Sequence, residues 1–147
     1  MGSGIAQVAA SAGHAVILYD NNKTQLDQAK SNLTQTLNKL AEKGKISSEE
    51  ATTILNRISF ANDLNSFSSC GLVIEAIVEN LEVKQSIFRE LEGIVSEKTI
   101  LASNTSSLSI TSIASACKNV SRVMGIHFFN PAPVMPLVEI IPGIATD

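Results

Sequence analysis

Short apolar runs alternate with amphipathic stretches along this chain, and that alternation constrains its fold more than anything else in it. Residues 15–20 (AVILYD) form a nearly continuous apolar run ending in an acid, the pattern of a strand buried on both faces. Residues 58–61, 72–76, 99–103, Val123–Phe128 and 137–141 repeat the theme. Between them lie helical periods. Leu26, Ala29, Leu33, Leu37 and Leu40 recur at steps of three and four over residues 23–43, and Gly44 follows. Residues 81–95 place Val83, Ile87, Phe88, Leu91 and Ile94 on one face. A small-residue helix is expected over 3–12, stopped by Gly13. Ser47 with Glu50 forms a capping box for a short helix carrying Ile54 and Leu55. Asp63 suits the cap of a brief helical turn, and Ser109 the cap of a helix over 110–117. Strands alternating with helices imply a Rossmann-like, doubly wound, mostly parallel α/β sheet with helices on both faces. No repeat, low-complexity segment or linker interrupts the chain, so residues 1–147 are expected to form one domain.

Composition excludes several classes. A net charge of −3 with 4% aromatic residues lacks the basic face and stacking rings of a nucleic-acid surface. No apolar run reaches membrane-span length, so neither nucleic acid nor membrane is an expected partner. Cys70 and Cys117 stand far apart with no CxxC, which suits thiols of a reducing compartment, and a cytoplasmic protein is expected. Only His14 and His127 could join a zinc site, too few for one, so no metal is expected.

Two polar residues interrupt apolar strands. His127 ends the run VMGIHFFNP, and Glu139 stands inside LVEII, twelve residues later. A strand, a turn stiffened by Pro131, Pro133 and Pro136, and a second strand could set them side by side. An imidazole oriented by a carboxylate is a proton-transfer device. The alternative is a core histidine bonded to a carbonyl, with Glu139 facing solvent.

Parallel sheets bind ligands at the carboxyl ends of their strands. Gly2-x-Gly4 opens the first helix, and Asp20 follows Gly2 by 18 residues, the spacing of an acid that binds an adenosine ribose. Asn21 and Asn22 come next, with no arginine, which favours NAD over NADP. Asp20 could instead cap the following helix. Two other strand ends carry polar groups: Glu79-Asn80 with Lys84 one turn into a helix, and Asn104-Thr105-Ser106-Ser107. Serine-rich turns also serve as ordinary helix caps.

The stretches MGSGIAQVAASAGHAVILYD, VIEAIVENLEVKQSIFREL, LASNTSSLSITSIA and GIHFFNPAPVMPLVEII span the whole chain. Together they resemble the N-terminal domain of the 3-hydroxyacyl-CoA dehydrogenases, most of all the bacterial 3-hydroxybutyryl-CoA type. That domain opens with a strand and a GAGTMG loop. Met1-Gly2 would be the end of the loop, so the first strand is expected to be missing, along with a C-terminal helical domain for dimerisation and part of substrate binding. The resemblance implies NAD as cofactor, an acyl-CoA substrate and a homodimer for the full-length protein. It implies His127 as catalytic base, Glu139 as its partner and Ser106 as the group that bonds the reacting oxygen. Asn130 falls near the nicotinamide, Glu79 and Lys84 at its ribose, Asp20 at the adenosine ribose, and Gly2 in the phosphate loop. Lys43 and Thr36 fall where the family contacts CoA, although a solvated helix face would look the same. The implied reaction is oxidation of a (3S)-3-hydroxyacyl-CoA to the 3-ketoacyl-CoA, with the fragment alone weak or inactive. The alternatives are a non-catalytic nucleotide-binding or structural module, and the dehydrogenase domain of a multifunctional fatty-acid oxidation protein.

Overall fold

Side-chain caps start most of the helices. The computed structural model describes residues 1–147. Helix α1 runs Gly2–Ser11, strand β1 Val16–Leu18, helix α2 Lys23–Glu42, helix α3 Ser48–Asn56 and strand β2 Ile58–Phe60. These make one compact unit, Met1–Ser66. The Asn22 side chain accepts the Thr24 and Gln25 N–H groups and so caps α2, while Ser47 Oγ accepts the Glu50 N–H and caps α3. Gly13 and Gly44 adopt positive φ, +98° and +66°, where the chain leaves α1 and α2. Strands β1 and β2 pair in parallel, Val16 opposite Ile58 and Leu18 opposite Phe60. Ala10, Leu33, Leu37, Ala51, Ile54 and Ile58 form the core of this unit. The Arg57 guanidinium donates to the Ala10 carbonyl, satisfying one acceptor at the end of α1.

The strand expected over 15–20 is shorter than its apolar pattern implies. Only Val16–Leu18 pair, and all three residues are half-buried rather than enclosed. The cause is topological: this sheet has two strands, so β1 is hydrogen-bonded along one edge alone.

Strand β3 (Leu72–Glu75), helix α4 (Leu81–Ile94), strand β4 (Ile100–Ser103), helix α5 (Ile110–Ala114), strand β5 (Val123–Phe128) and strand β6 (Val138–Pro142) belong to the second unit, Phe67–Asp147. Their sheet has the order β3-β4-β5-β6. The first three strands are parallel, and β6 returns antiparallel to β5. The architecture is therefore α/β with parallel sheets, divided into a two-stranded and a four-stranded ladder. Phe88 and Leu91 of α4, Ile110 and Ile113 of α5, Leu101 and Val123 are buried. Helix α5 ends at Ala114, earlier than expected, as the Cys117 N–H folds back onto the Ala114 carbonyl.

One expected core position is reversed. Val83 is 45% exposed, and its neighbour Lys84 is the residue that points inward, at 0%. An apolar stripe predicts the valine. A buried carboxylate partner selects the lysine. No helix is long and apolar enough to cross a membrane.

Candidate active site

The β5–β6 hairpin builds the first half of the site. Its register sets His127 opposite Glu139, and directly opposed residues of an antiparallel pair project to the same face. His127 Nδ1 lies 2.8 Å from Glu139 Oε2. The carboxylate can only accept, so in the neutral imidazole Nδ1 carries the proton and Nε2 keeps a lone pair. The histidine side chain is 16% exposed and the glutamate 50%. The Phe129 ring packs against the imidazole at 4.7 Å between centroids, tilted by 53°. The next backbone group is also fixed: the Phe128 N–H donates to Asn104 Oδ1 at 2.8 Å, tying the end of β5 to the loop after β4.

The second half lies at the ends of β3 and β4. Glu79 Oε1 gathers the Thr105 hydroxyl, the Ser106 N–H at 3.1 Å, the Ser107 N–H at 3.2 Å and the Ser107 hydroxyl at 3.1 Å. Partial burial opposes its charge. The bonds from Thr105 and Ser107 and the nearby Lys84 ammonium outweigh that burial and hold the carboxyl down at about 2. Behind it lies an inner ion pair. Lys84 Nζ is 2.6 Å from Glu75 Oε1, 3.4 Å from Glu79 Oε2 and 3.5 Å from the Ile77 carbonyl. Glu75 Oε1 also accepts the Ile77 N–H, and Glu75 Oε2 accepts the Ser103 hydroxyl at 2.7 Å. Glu75 and Ser103 face each other in the β3–β4 register, which explains that bond.

The remaining predicted residues fall as follows. Ser106 is exposed, anchored through its backbone N–H to Glu79. Asn130 is exposed at the start of the hairpin loop, before a cis bond to Pro131. Lys84 is wholly enclosed, and its ammonium is engaged by the two glutamates. Asp20, in the first unit, is exposed; its Oδ1 accepts the Asn22 N–H. The cap of α2 is Asn22, so Asp20 does not do the helix-capping work that was its alternative reading. Gly2 is the first residue of α1, which has no side-chain cap. Thr36 and Lys43 are both exposed, seven positions apart at α2 and its C-terminal cap.

The family model for the 3-hydroxyacyl-CoA dehydrogenase NAD-binding domain matches residues 1–147. The chain belongs to this family. A probable 3-hydroxybutyryl-CoA dehydrogenase of Deinococcus radiodurans is 47% identical over 147 residues, covering 100% of this chain and 52% of that protein. The mitochondrial hydroxyacyl-coenzyme A dehydrogenase of Homo sapiens is 48% identical, covering 96% of this chain and 47% of that protein. A crystal structure of 3-hydroxybutyryl-CoA dehydrogenase from Escherichia coli K12 superposes with a TM-score of 0.98 at 46% identity, over 100% of this chain and 31% of that one. The chain thus spans about half or less of the length of these relatives.

NAD is the cofactor of this 3-hydroxyacyl-CoA dehydrogenase domain. The residues present fit it. In the second unit Glu79 Oε2 meets only the Lys84 ammonium, at 3.4 Å, and in the first unit the exposed Asp20 has one oxygen engaged by the Asn22 N–H; each is an acceptor of the kind a ribose hydroxyl uses. The sequence pattern does not single out Glu75 and Ser103, and it shows Thr105 only as one of the polar residues after β4. A charge closing the apolar run LVIE, nine residues before Lys84, is the feature that could have revealed the inner pair.

Proposed function

We propose that the protein oxidises (3S)-3-hydroxyacyl-CoA to 3-ketoacyl-CoA with NAD. The observation that carries the reading is the 2.8 Å pairing of His127 with Glu139, which leaves Nε2 as an open base. His127 Nε2 takes the hydroxyl proton, and Glu139 stabilises the imidazolium that forms. Bound NAD supplies the acceptor for the hydride that leaves C3. Ser106 holds the reacting oxygen, on a loop that Glu79 keeps in place. In the reverse direction the imidazolium returns its proton to the ketone oxygen.

Cofactor binding is assigned to Gly2 at the phosphates, Asp20 at the adenosine ribose, and Glu79 and Asn130 at the nicotinamide side. Lys84, which the resemblance implies as a further ribose contact, is not assigned one, since its side chain is enclosed and its ammonium is engaged by Glu75 and Glu79. Thr36 and Lys43 are assigned to the CoA moiety; both are exposed. Residues 1–147 act as one NAD-binding domain of a cytoplasmic homodimer. Relatives named for 3-hydroxybutyryl-CoA and 3-hydroxyadipyl-CoA support a short acyl chain.

The test is NADH formation by the full-length protein from NAD and (3S)-3-hydroxybutyryl-CoA. His127→Gln should lower turnover by at least about 10²-fold while NADH affinity stays unchanged. No NADH from the wild-type protein, or wild-type turnover in His127→Gln, would overturn the reading.

A further inference from the structure

We infer that Glu75, oriented by Ser103, is a positioning residue that keeps one oxygen of Glu79 available to the cofactor. This rests on the assignment of Glu79 to the nicotinamide ribose. The two oxygens of Glu79 have different surroundings. Oε1 is saturated by four donors from Thr105, Ser106 and Ser107. Oε2 meets only the Lys84 ammonium, at 3.4 Å, on a side chain that is 37% exposed. It is therefore the acceptor left for a ligand hydroxyl.

Lys84 could take that acceptor away. An ammonium wholly out of water must find negative charge, and two carboxylates stand within its reach. Glu75 has the stronger hold, 2.6 Å against 3.4 Å. Glu75 is itself buried and braced by three donors: the Ile77 N–H, the Ser103 hydroxyl and Lys84. Ser103 is fully buried and receives the Thr105 N–H on its own oxygen, so its hydroxyl proton is directed at Glu75. The arrangement draws the ammonium inward. Without the charge at position 75, Glu79 becomes the sole carboxylate near Lys84. The ammonium then closes on Oε2 and competes with the ribose hydroxyl for it.

The test uses the full-length protein, with NADH fluorescence titration, steady-state kinetics and thermal melting. Glu75→Gln keeps the shape and removes the charge. It should weaken NADH binding and raise KM for NAD by about tenfold, the scale of one charge-assisted hydrogen bond. KM for the acyl-CoA and kcat at saturating NAD should stay near wild type. A purely structural defect would instead lower kcat along with stability. Adding Lys84→Met to Glu75→Gln removes the competitor and should recover most of the lost affinity.

Unchanged NADH affinity in a folded Glu75→Gln protein would overturn the inference, as would a double variant no better than the single one. Should Glu75→Gln fail to fold, Ser103→Ala applies the same test. It should weaken NADH binding by about threefold, the scale of a neutral hydrogen bond, and no change would overturn the inference. Wild-type protein that binds no NADH would overturn the cofactor assignment itself, and this inference with it.

Discussion

Glu79 anchors a loop with one oxygen and leaves the other to the site, and its charge state should be visible in stability. Its carboxyl titrates at about 2 when folded, against an ordinary 4.5. A depressed folded value means the stabilisation is complete above the ordinary value and disappears as pH falls from 4.5 towards 2. Denaturant unfolding across that window should therefore show a fall in stability that Glu79→Gln largely abolishes, with the variant already weaker at neutral pH. Equal acid slopes in the two proteins would contradict the assignment. Legibility in the sequence differed between residues for a physical reason. His127 and Glu139 are polar interruptions of two apolar runs joined by a proline turn, and the alternation of a hairpin brings them together. Lys84 sits beside Val83 in an amphipathic pattern, where a periodicity argument must prefer the apolar neighbour. Only the buried Glu75, at a distance set by tertiary packing, turns the lysine inward.

At the scale of elements, Gly125 is the glycine of the second unit with the least space for a side chain. A Cβ placed there would come within 2.9 Å of Ile110 Cδ1 and 3.0 Å of Ile141 Cβ, so α5 and β6 both lie hard against β5 at this point. The isoleucine tip can swing aside, but the Ile141 Cβ is fixed by its strand. Gly125→Ala should therefore destabilise the protein by about 1–3 kcal/mol through overpacking, measured by denaturant titration. A stability equal to wild type would show that the hairpin gives way easily. The strain would also reach His127, two residues along β5, so turnover should fall with stability. The starts of α3 and α5 were legible because Ser47 and Ser109 cap through their own side chains, whereas the Asn22 and Asn80 caps of α2 and α4 show only in the structure. The short β1 and the early end of α5 were not. Apolar composition reports where a strand could run, whereas its length depends on neighbours that sequence alone does not display.

For the molecule as a whole, two compact units share one family match across residues 1–147. The alternating pattern of strands and helices was legible. The split of the strands into ladders of two and four was not, because pairing partners lie far apart along the chain. Cofactor choice is a property at this scale. Asp20, exposed and free of capping duty, should favour ribose hydroxyls and repel a 2′-phosphate. Asp20→Ser should narrow the preference for NAD over NADP by about tenfold, read as the ratio of kcat/KM values in the full-length protein. An unchanged ratio would remove Asp20 from the cofactor site. The central claim is that the β5–β6 hairpin assembles a working proton-transfer pair. Its most direct test is single-turnover NADH formation in the full-length protein, wild type against Glu139→Gln, at saturating NAD and (3S)-3-hydroxybutyryl-CoA. The account predicts a loss of about 10²-fold or more in that rate with NADH affinity unchanged, and a wild-type rate in Glu139→Gln would contradict it.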